Sequence, residues 1–245
     1  MALSEDLSAA ALAAAMPGRA VRSYPALLST EADARAWARA GGPAGAVVVA
    51  DYQASARGRG GLPWSPRPAR DLCFSLVLRP GFTPDDEGWL YVAAAVAVLD
   101  VLGGDAQVDW PDRIHREGRQ AADVAGHAAL GAGGVDWAVV NVLVHDAGVP
   151  RGSLLARLVD AVEALQHPEP DALARYRERC TTLGEEVVAH VIPTWPDGVQ
   201  IAGTAATVLQ DGALVIEQAA AGRRIAVRPQ HLARLESRAP EAPVG

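Results

Sequence analysis

Lysine is missing from this chain: all 22 of its basic residues are arginine. Codon bias in a GC-rich genome accounts for that without a functional cause, and it also fits the abundance of alanine. The chemical consequence holds either way. No step that needs an ε-amino group, whether Schiff base, lysine general base or ammonium clamp, can run on these side chains. Cysteine is scarce as well. Cys73 and Cys180 supply neither a disulfide framework nor a metal-ligand spacing. Aromatic residues make up 5% of the chain, so the core is expected to rest on Val, Leu and Ala. No apolar run reaches membrane-spanning length. Residues 7–16 (LSAAALAAAM) follow Glu5 and Asp6 rather than the basic region of a signal peptide. The net charge of −7 argues against nucleic acid or an anionic membrane as partner, because phosphate arrays need a basic face. What remains is a soluble, cytoplasmic protein of 245 residues, half of them apolar, enough for one large or two small domains.

Periodicity and turn residues divide the chain. "STEADARAWARAG" (29–41) reads as a helix, with Ser29 or Thr30 as cap and Gly41-Gly42 as stop. "GAVVVADYQ" (45–53) reads as a buried strand. The stretch 54–70 holds Gly, Arg and Pro without periodicity and is expected to be a long loop, functional or disordered. Strands follow at 72–80, 106–110 and 135–145. Helices follow at 85–104, 153–167 and 170–180. From Gly184 to Arg234 short strands alternate with turns, as in a small β-barrel. The expected class is α+β: a mixed sheet flanked by helices over residues 1–182, a small β domain over 183–236, and a flexible Pro-rich tail over 237–245.

Several motifs then stand in one order. An early "STE" (29–31) precedes "DYQASARGRGGLPW", which spaces Gln53, Arg57, Gly58, Arg59, Gly61 and Trp64. Next come "DLCFSLVLRP" (71–80), "DWPDR" (109–113), "VVNVLV" with Asn141, and "RYRERCTTLGEEV" (175–187). This order resembles the biotin protein ligase family, within the wider biotin/lipoate ligase group, whose patterns are Ser-Thr-Asn, GRGRxGRxW, NLYFSLLLRP and KWPND. The resemblance implies a class II synthetase-like ligase core with an SH3-like C-terminal barrel. It implies an activity that joins biotin to ATP as biotinyl-5′-AMP and passes biotin to a lysine on a biotin carboxyl carrier domain. Biotin, ATP and Mg²⁺ are the small molecules it implies, and a homodimer is compatible with it. Ser29, Thr30 and Gln53 would line the head-group pocket. Arg57 and Arg59 would hold carboxylate and phosphate across Gly58, Trp64 would stack near adenine, and Asn141 would sit by the nucleotide. Alone, Arg57 and Arg59 read as a solvated basic loop, and Ser29-Thr30 as a helix cap. The spacing from Gln53 to Trp64 favours ligand contacts for the arginines. Only about 28 residues precede the Ser-Thr segment, too few for a DNA-binding helix-turn-helix, so repressor activity is not expected.

One segment breaks the pattern. In "DWPDR" Asp109 stands where the family has its lysine, Asp112 where it has Asn, and Arg113 where it has Asp. In "RQAADVAGH" Gln120 stands at a second family lysine. Two opposite charges about 4 Å apart, at an effective dielectric near 20, are worth roughly 4 kcal/mol, so reversing the sign of one could remove several powers of ten in rate. Arg113, Arg116 or Arg119 could restore the cation, or Asp109 and Asp112 could hold Mg²⁺. The alternative is a site released from catalysis: a degenerate homologue that binds biotin, an acyl ligand or a carrier protein. An octanoyltransferase-like activity ranks last, since it needs a lysine and a cysteine nucleophile. His115, His127 and His145 lack the spacing of a metal pair and read as lone histidines.

Overall fold

The computed structural model describes residues 3–192 and 198–237. Its centre is a seven-stranded sheet. β1 (Val21–Tyr24) runs parallel to β2 (Val47–Ala50). The antiparallel strands β3 (Leu72–Leu78), β7 (Gly134–Val144), β6 (Arg119–Gly131), β5 (Arg113–Arg116) and β4 (Gln107–Asp109) then follow in that spatial order. Five helices accompany it: α1 (Ala9–Ala15), α2 (Thr30–Arg39), α3 (Trp89–Leu102), α4 (Arg151–Glu163) and α5 (Pro170–Glu178).

Strand alternation gives the sheet two faces. Leu72, Phe74, Leu76 and Leu78 of β3, with Val140 and Val142 of β7, face α3 and α4 in the main core. α3 is apolar on every side and buried from Trp89 to Leu99, as expected of a helix enclosed between a sheet and other helices. The opposite face is covered at one end only. There Ala34 and Ala38 of α2 pack on Val48, Val77, Val139 and Trp137. Cys73, Ser75, Asn141, Ala125 and Asp123 share this second face, beyond the reach of α2's apolar stripe.

A second sheet holds β8 (Glu186–Val191), β9 (Gln200–Val208), β10 (Leu214–Gln218), β11 (Arg223–Val227) and β12 (Leu232–Ser237). Its order is β11-β10-β9-β8-β12, all antiparallel. Among the described residues no pairing joins β11 to β12, so the expected barrel appears as an open five-stranded sheet. The tail expected from residue 237 lies, apart from Ser237, outside the described residues. The sheet seats on the core through bare backbone. A β-carbon on Gly88 would stand 2.1 Å from the carbonyl oxygen of Asp211, and one on Gly212 would stand 2.4 Å from that of Gly88. Trp110, 3% exposed, completes the joint by donating its indole N–H to the Gly212 carbonyl at 2.9 Å.

Three elements were not expected: α1, β1 and the long hairpin of β5 and β6. β6 contains five alanines and two glycines in 13 residues, a composition with little strand propensity. It is held as a strand by ten register partners on β7. No described helix is long and apolar enough to cross a membrane.

Candidate functional site

The half-covered face of the large sheet carries a buried polar chain. Thr30 begins α2, and Ser29 caps it, its hydroxyl accepting from the Ala32 N–H at 3.4 Å. Gln53 Oε1 accepts from the Thr30 N–H at 2.8 Å and lies 3.1 Å from Thr30 Oγ1. Ser75 Oγ lies 2.9 Å from Thr30 Oγ1 and 2.7 Å from Asn141 Oδ1. All four side chains are at most 6% exposed. Two hydroxyls carry two protons, yet three contacts need one each. The count closes when the Asn141 amide turns to donate to Ser75, so that protons run Asn141 to Ser75 to Thr30 to Gln53. The Asn141 carbonyl is then left for the neighbouring space. At the other end Gln53 Nε2 is buried with no hydrogen-bond partner of normal geometry among the described residues; the Cys73 thiol is its neighbour and feels it as a weak donor, which leaves most of a demand worth about 1–3 kcal/mol.

This polar chain places Asn141 beside Ser75, Thr30 and Gln53. Ser75 was not singled out in the sequence at all. Its signal is a lone hydroxyl in the apolar run LCFSLVL, placed by alternation on the same face as Cys73. Cys73 is no nucleophile here. Burial pushes its thiol up to about 12, well clear of the range in which a thiolate forms at neutral pH.

Residues 54–64 are an ordered hairpin, not an aperiodic loop. Trp64 N–H donates to the Ala56 carbonyl at 3.0 Å and Gly58 N–H to that of Leu62 at 2.8 Å, with Arg57 opposite Pro63. Gly60 and Gly61, at φ 60° and 78°, turn the tip. Trp64 packs edge-on against the hairpin's own backbone. A β-carbon on Gly58 would be 2.3 Å from its Nε1, so Gly58 is required by the tryptophan. A cavity of about 520 Å³ opens between the hairpin and the sheet. It is lined by Arg57, Gly58, Ala125, His127 and Asn141, with Glu31 and Arg35 of α2 at the rim. Arg57 donates to the Gly61 carbonyl at 3.1 Å and forms no ion pair among the described residues. Burial, with Arg35 and Arg39 nearby, lowers the pKa of His127, keeping it neutral at pH 7.

The arginines therefore part company. Arg59 is 7% exposed. Its Nε–H donates to Asp112 Oδ2 at 2.7 Å, and its Nη1 donates to the Leu232 carbonyl of β12. Burial raises the Asp112 carboxyl above the ordinary range, with Arg59 pulling the other way. Both line a second cavity of about 550 Å³, between "DWPDR" and the small sheet, together with Asp109, Arg113, Glu185 and Arg234. Arg113, at the start of β5, is exposed and makes no ion pair among the described residues.

Asp109 is not a bare repulsive charge. Thr181 Oγ1 donates to its Oδ1 at 2.5 Å, and His115 Nε2 stands 2.8 Å from its Oδ2. His115 is thus a cross-strand partner and not a lone histidine. The same correction applies to His145. Its Nε2 is 3.0 Å from Asp123 and its Nδ1 3.6 Å from the fully buried Asp71. The hydrogen bond with Asp123 raises the His145 pKa against the effect of burial. Gln120 donates to both oxygens of Asp123, at 2.8 and 2.7 Å. The two carboxylates offered for Mg²⁺ are therefore engaged, Asp109 with Thr181 and Asp112 with Arg59. No cluster of three or more His, Cys, Asp or Glu side chains that could hold a metal occurs among the described residues.

No family model matches the chain. Comparison with curated proteins finds the biotin–[acetyl-CoA-carboxylase] ligase of Mycobacterium tuberculosis, 27% identical over 226 residues, covering 81% of this chain and 83% of that protein. Among solved structures, the biotin protein ligase of Aquifex aeolicus in complex with biotin and ATP aligns with a TM-score of 0.68 at 16% identity, over 89% of this chain and 99% of that one. The Helicobacter pylori biotin acetyl coenzyme A carboxylase synthetase, with bound biotinylated ATP, aligns at 0.60 and 18% identity, over 84% and 99%. Joined to the ordered motifs and the two-sheet architecture, these similarities show that the chain resembles biotin protein ligases in sequence and shares their fold.

Proposed function

We propose that the chain binds biotin, or a carboxylic acid of closely similar shape, on the half-covered sheet face. It joins the acid to ATP as an acyl-adenylate and passes the acyl group to a carrier-protein lysine, with turnover limited at the phosphate end. The observation that carries this reading is the buried chain Gln53–Thr30–Ser75–Asn141, with a donor unmatched at one end and an acceptor spare at the other. A cyclic urea has the complementary need, since its carbonyl accepts and its two N–H groups donate. The set is rigid and desolvated, so its hydrogen bonds count for more than in water. Arg57, at the cavity wall without a carboxylate of its own, is suited to the acid's carboxylate. The Gly58 hairpin turns Arg57 toward that cavity and Trp64 fixes its shape. Ser29 serves by holding the start of α2, and with it Thr30, in place.

At the phosphate end Arg113 takes the cationic role that the family gives to lysine. As a permanently charged donor it stabilises charge developing on the α-phosphate of ATP as the acid's carboxylate attacks it and pyrophosphate leaves. The transfer step needs a neutral amine on the carrier, which attacks the acyl carbon and expels AMP. The Aquifex aeolicus structure holds biotin and ATP and the Helicobacter pylori one biotinylated ATP, which suits this order of events. The test is biotin-dependent exchange of labelled pyrophosphate into ATP by the intact chain. Exchange that disappears in Arg113→Ala supports the ligase.

A second reading, a binder that no longer activates its ligand, is favoured by one contact: Arg59 is already bonded to Asp112. No exchange at any biotin concentration, with biotin still raising the melting temperature, would establish that reading instead.

A further inference from the structure

The inference deepens the ligase reading by asking which ligand charge the phosphate-end cavity accepts. Its lining holds three carboxylates (Asp109, Asp112 and Glu185) and three guanidiniums (Arg59, Arg113 and Arg234). Formal charge there sums to zero. Arg234 rests 2.5 Å from Glu236, and Arg59 rests on Asp112. Arg59 is the buried member of the set. Its planar fork is aimed by two bonds from different parts of the chain, the Asp112 carboxylate and the Leu232 carbonyl. A carboxylate and a phosphoryl oxygen compete for the same fork, because both present paired oxygens to parallel N–H groups.

We infer that Asp112 is a built-in counter-anion: its carboxylate occupies the Arg59 site that a ligand's phosphate must take, and so sets the cavity's selectivity against phosphorylated ligands. An anion entering the cavity must displace Asp112 or share Arg59 with it. Either way it meets a neutral wall instead of a positive one. Removing the Asp112 charge while keeping an acceptor at the same place gives the cavity one net positive charge and leaves Arg59 positioned.

The experiment is calorimetric titration of the intact chain and of Asp112→Asn, Arg59→Gln and the double variant. Three probes are used separately: inorganic pyrophosphate, biotin and biotinyl-5′-AMP. Asp112→Asn should bind pyrophosphate and biotinyl-5′-AMP roughly tenfold tighter or more, and biotin within about twofold of the unaltered chain. Adding Arg59→Gln should abolish the gain. Unchanged or weaker pyrophosphate binding in Asp112→Asn overturns the inference, because Asp112 would then be orienting Arg59 and not competing for it. The biotin arm separates this from the ligase reading. A pyrophosphate gain without any biotin binding keeps the counter-anion and removes the biotin site, and the reverse pattern does the opposite. A readout on the unaltered chain covers the case in which Asp112→Asn does not fold. The Arg59 Nε–H nuclear magnetic resonance signal should shift as pyrophosphate saturates the protein, and a stationary signal during binding overturns the proposal.

Discussion

The two cavities have been treated differently by this sequence. The polar chain beneath the first is neutral, desolvated and nearly self-satisfied, with one donor of Gln53 left over among the described residues. The second is crowded with charge, and most of that charge is spoken for: Arg59 by Asp112, and Asp109 by Thr181 and His115. A neutral network keeps its shape because each of its groups is satisfied by the fold. A charged cluster that loses one sign finds new partners within itself. The carboxylate of Asp109 is therefore not a raw repulsion, since Thr181 and His115 stand against it.

That contrast can be broken or sharpened by substitution. The largest effect is expected at Ser75, which touches both Thr30 and Asn141 and is fully buried. Ser75→Val interrupts the polar chain and leaves two neighbours unmatched. It should cost about 2–3 kcal/mol, lower the melting temperature by roughly 5–10 °C for a chain of this size, and eliminate biotin binding. Calorimetric melting and titration check both parts. A variant that melts as before but binds normally would mean that the floor is not the acyl site.

Arg57→Ala comes next. It should weaken biotin binding by roughly 10- to 100-fold, the range for a hydrogen bond to a charged group, with no change in melting temperature, since Arg57 has no ion-pair partner among the described residues.

His145 tests the floor's edge through pH. Its folded pKa is raised above the unfolded 6.5, with Asp123 as the main cause. The folded state therefore holds its proton more tightly. The resulting stability is fully present below pH 6.5 and is lost as pH rises through the raised value. Urea midpoints should fall between pH 6 and 8.5 in the unaltered chain, and His145→Gln should remove that part of the slope. An identical slope in the variant would assign it to another group.

The smallest effect is expected for Arg35→Ala. Its pair with Glu31 is a helical i,i+4 contact at 3.2 Å with partial exposure, worth about 0.3–0.5 kcal/mol. Biotin affinity should stay within about twofold. A larger loss would show that the cavity rim, and not Arg57 alone, carries the attraction.

Much of the frame was legible in the sequence. The β-branched runs at 45–53 and 72–80 became β2 and β3, and the apolar periodicity at 153–167 became α4. Gln53, Thr30 and Asn141 were found by their place in ordered motifs, and they do meet in space. Ser75 was missed because a single hydroxyl in an apolar strand looks the same whether it faces core or site. β6 was missed because alanine and glycine carry almost no strand signal, and only its long pairing with β7 makes it a strand. The pairing of Arg59 with Asp112 spans 53 residues, and its bond to Leu232 spans 173. No local pattern encodes contacts of that reach. His115 and His145 looked solitary for the same reason, since their carboxylates come from neighbouring strands.

The meeting of Gly88 with Gly212 sets a steric limit. Neither position has room for so much as a methyl group, so a side chain at position 88 would have to push the second sheet out of this seat.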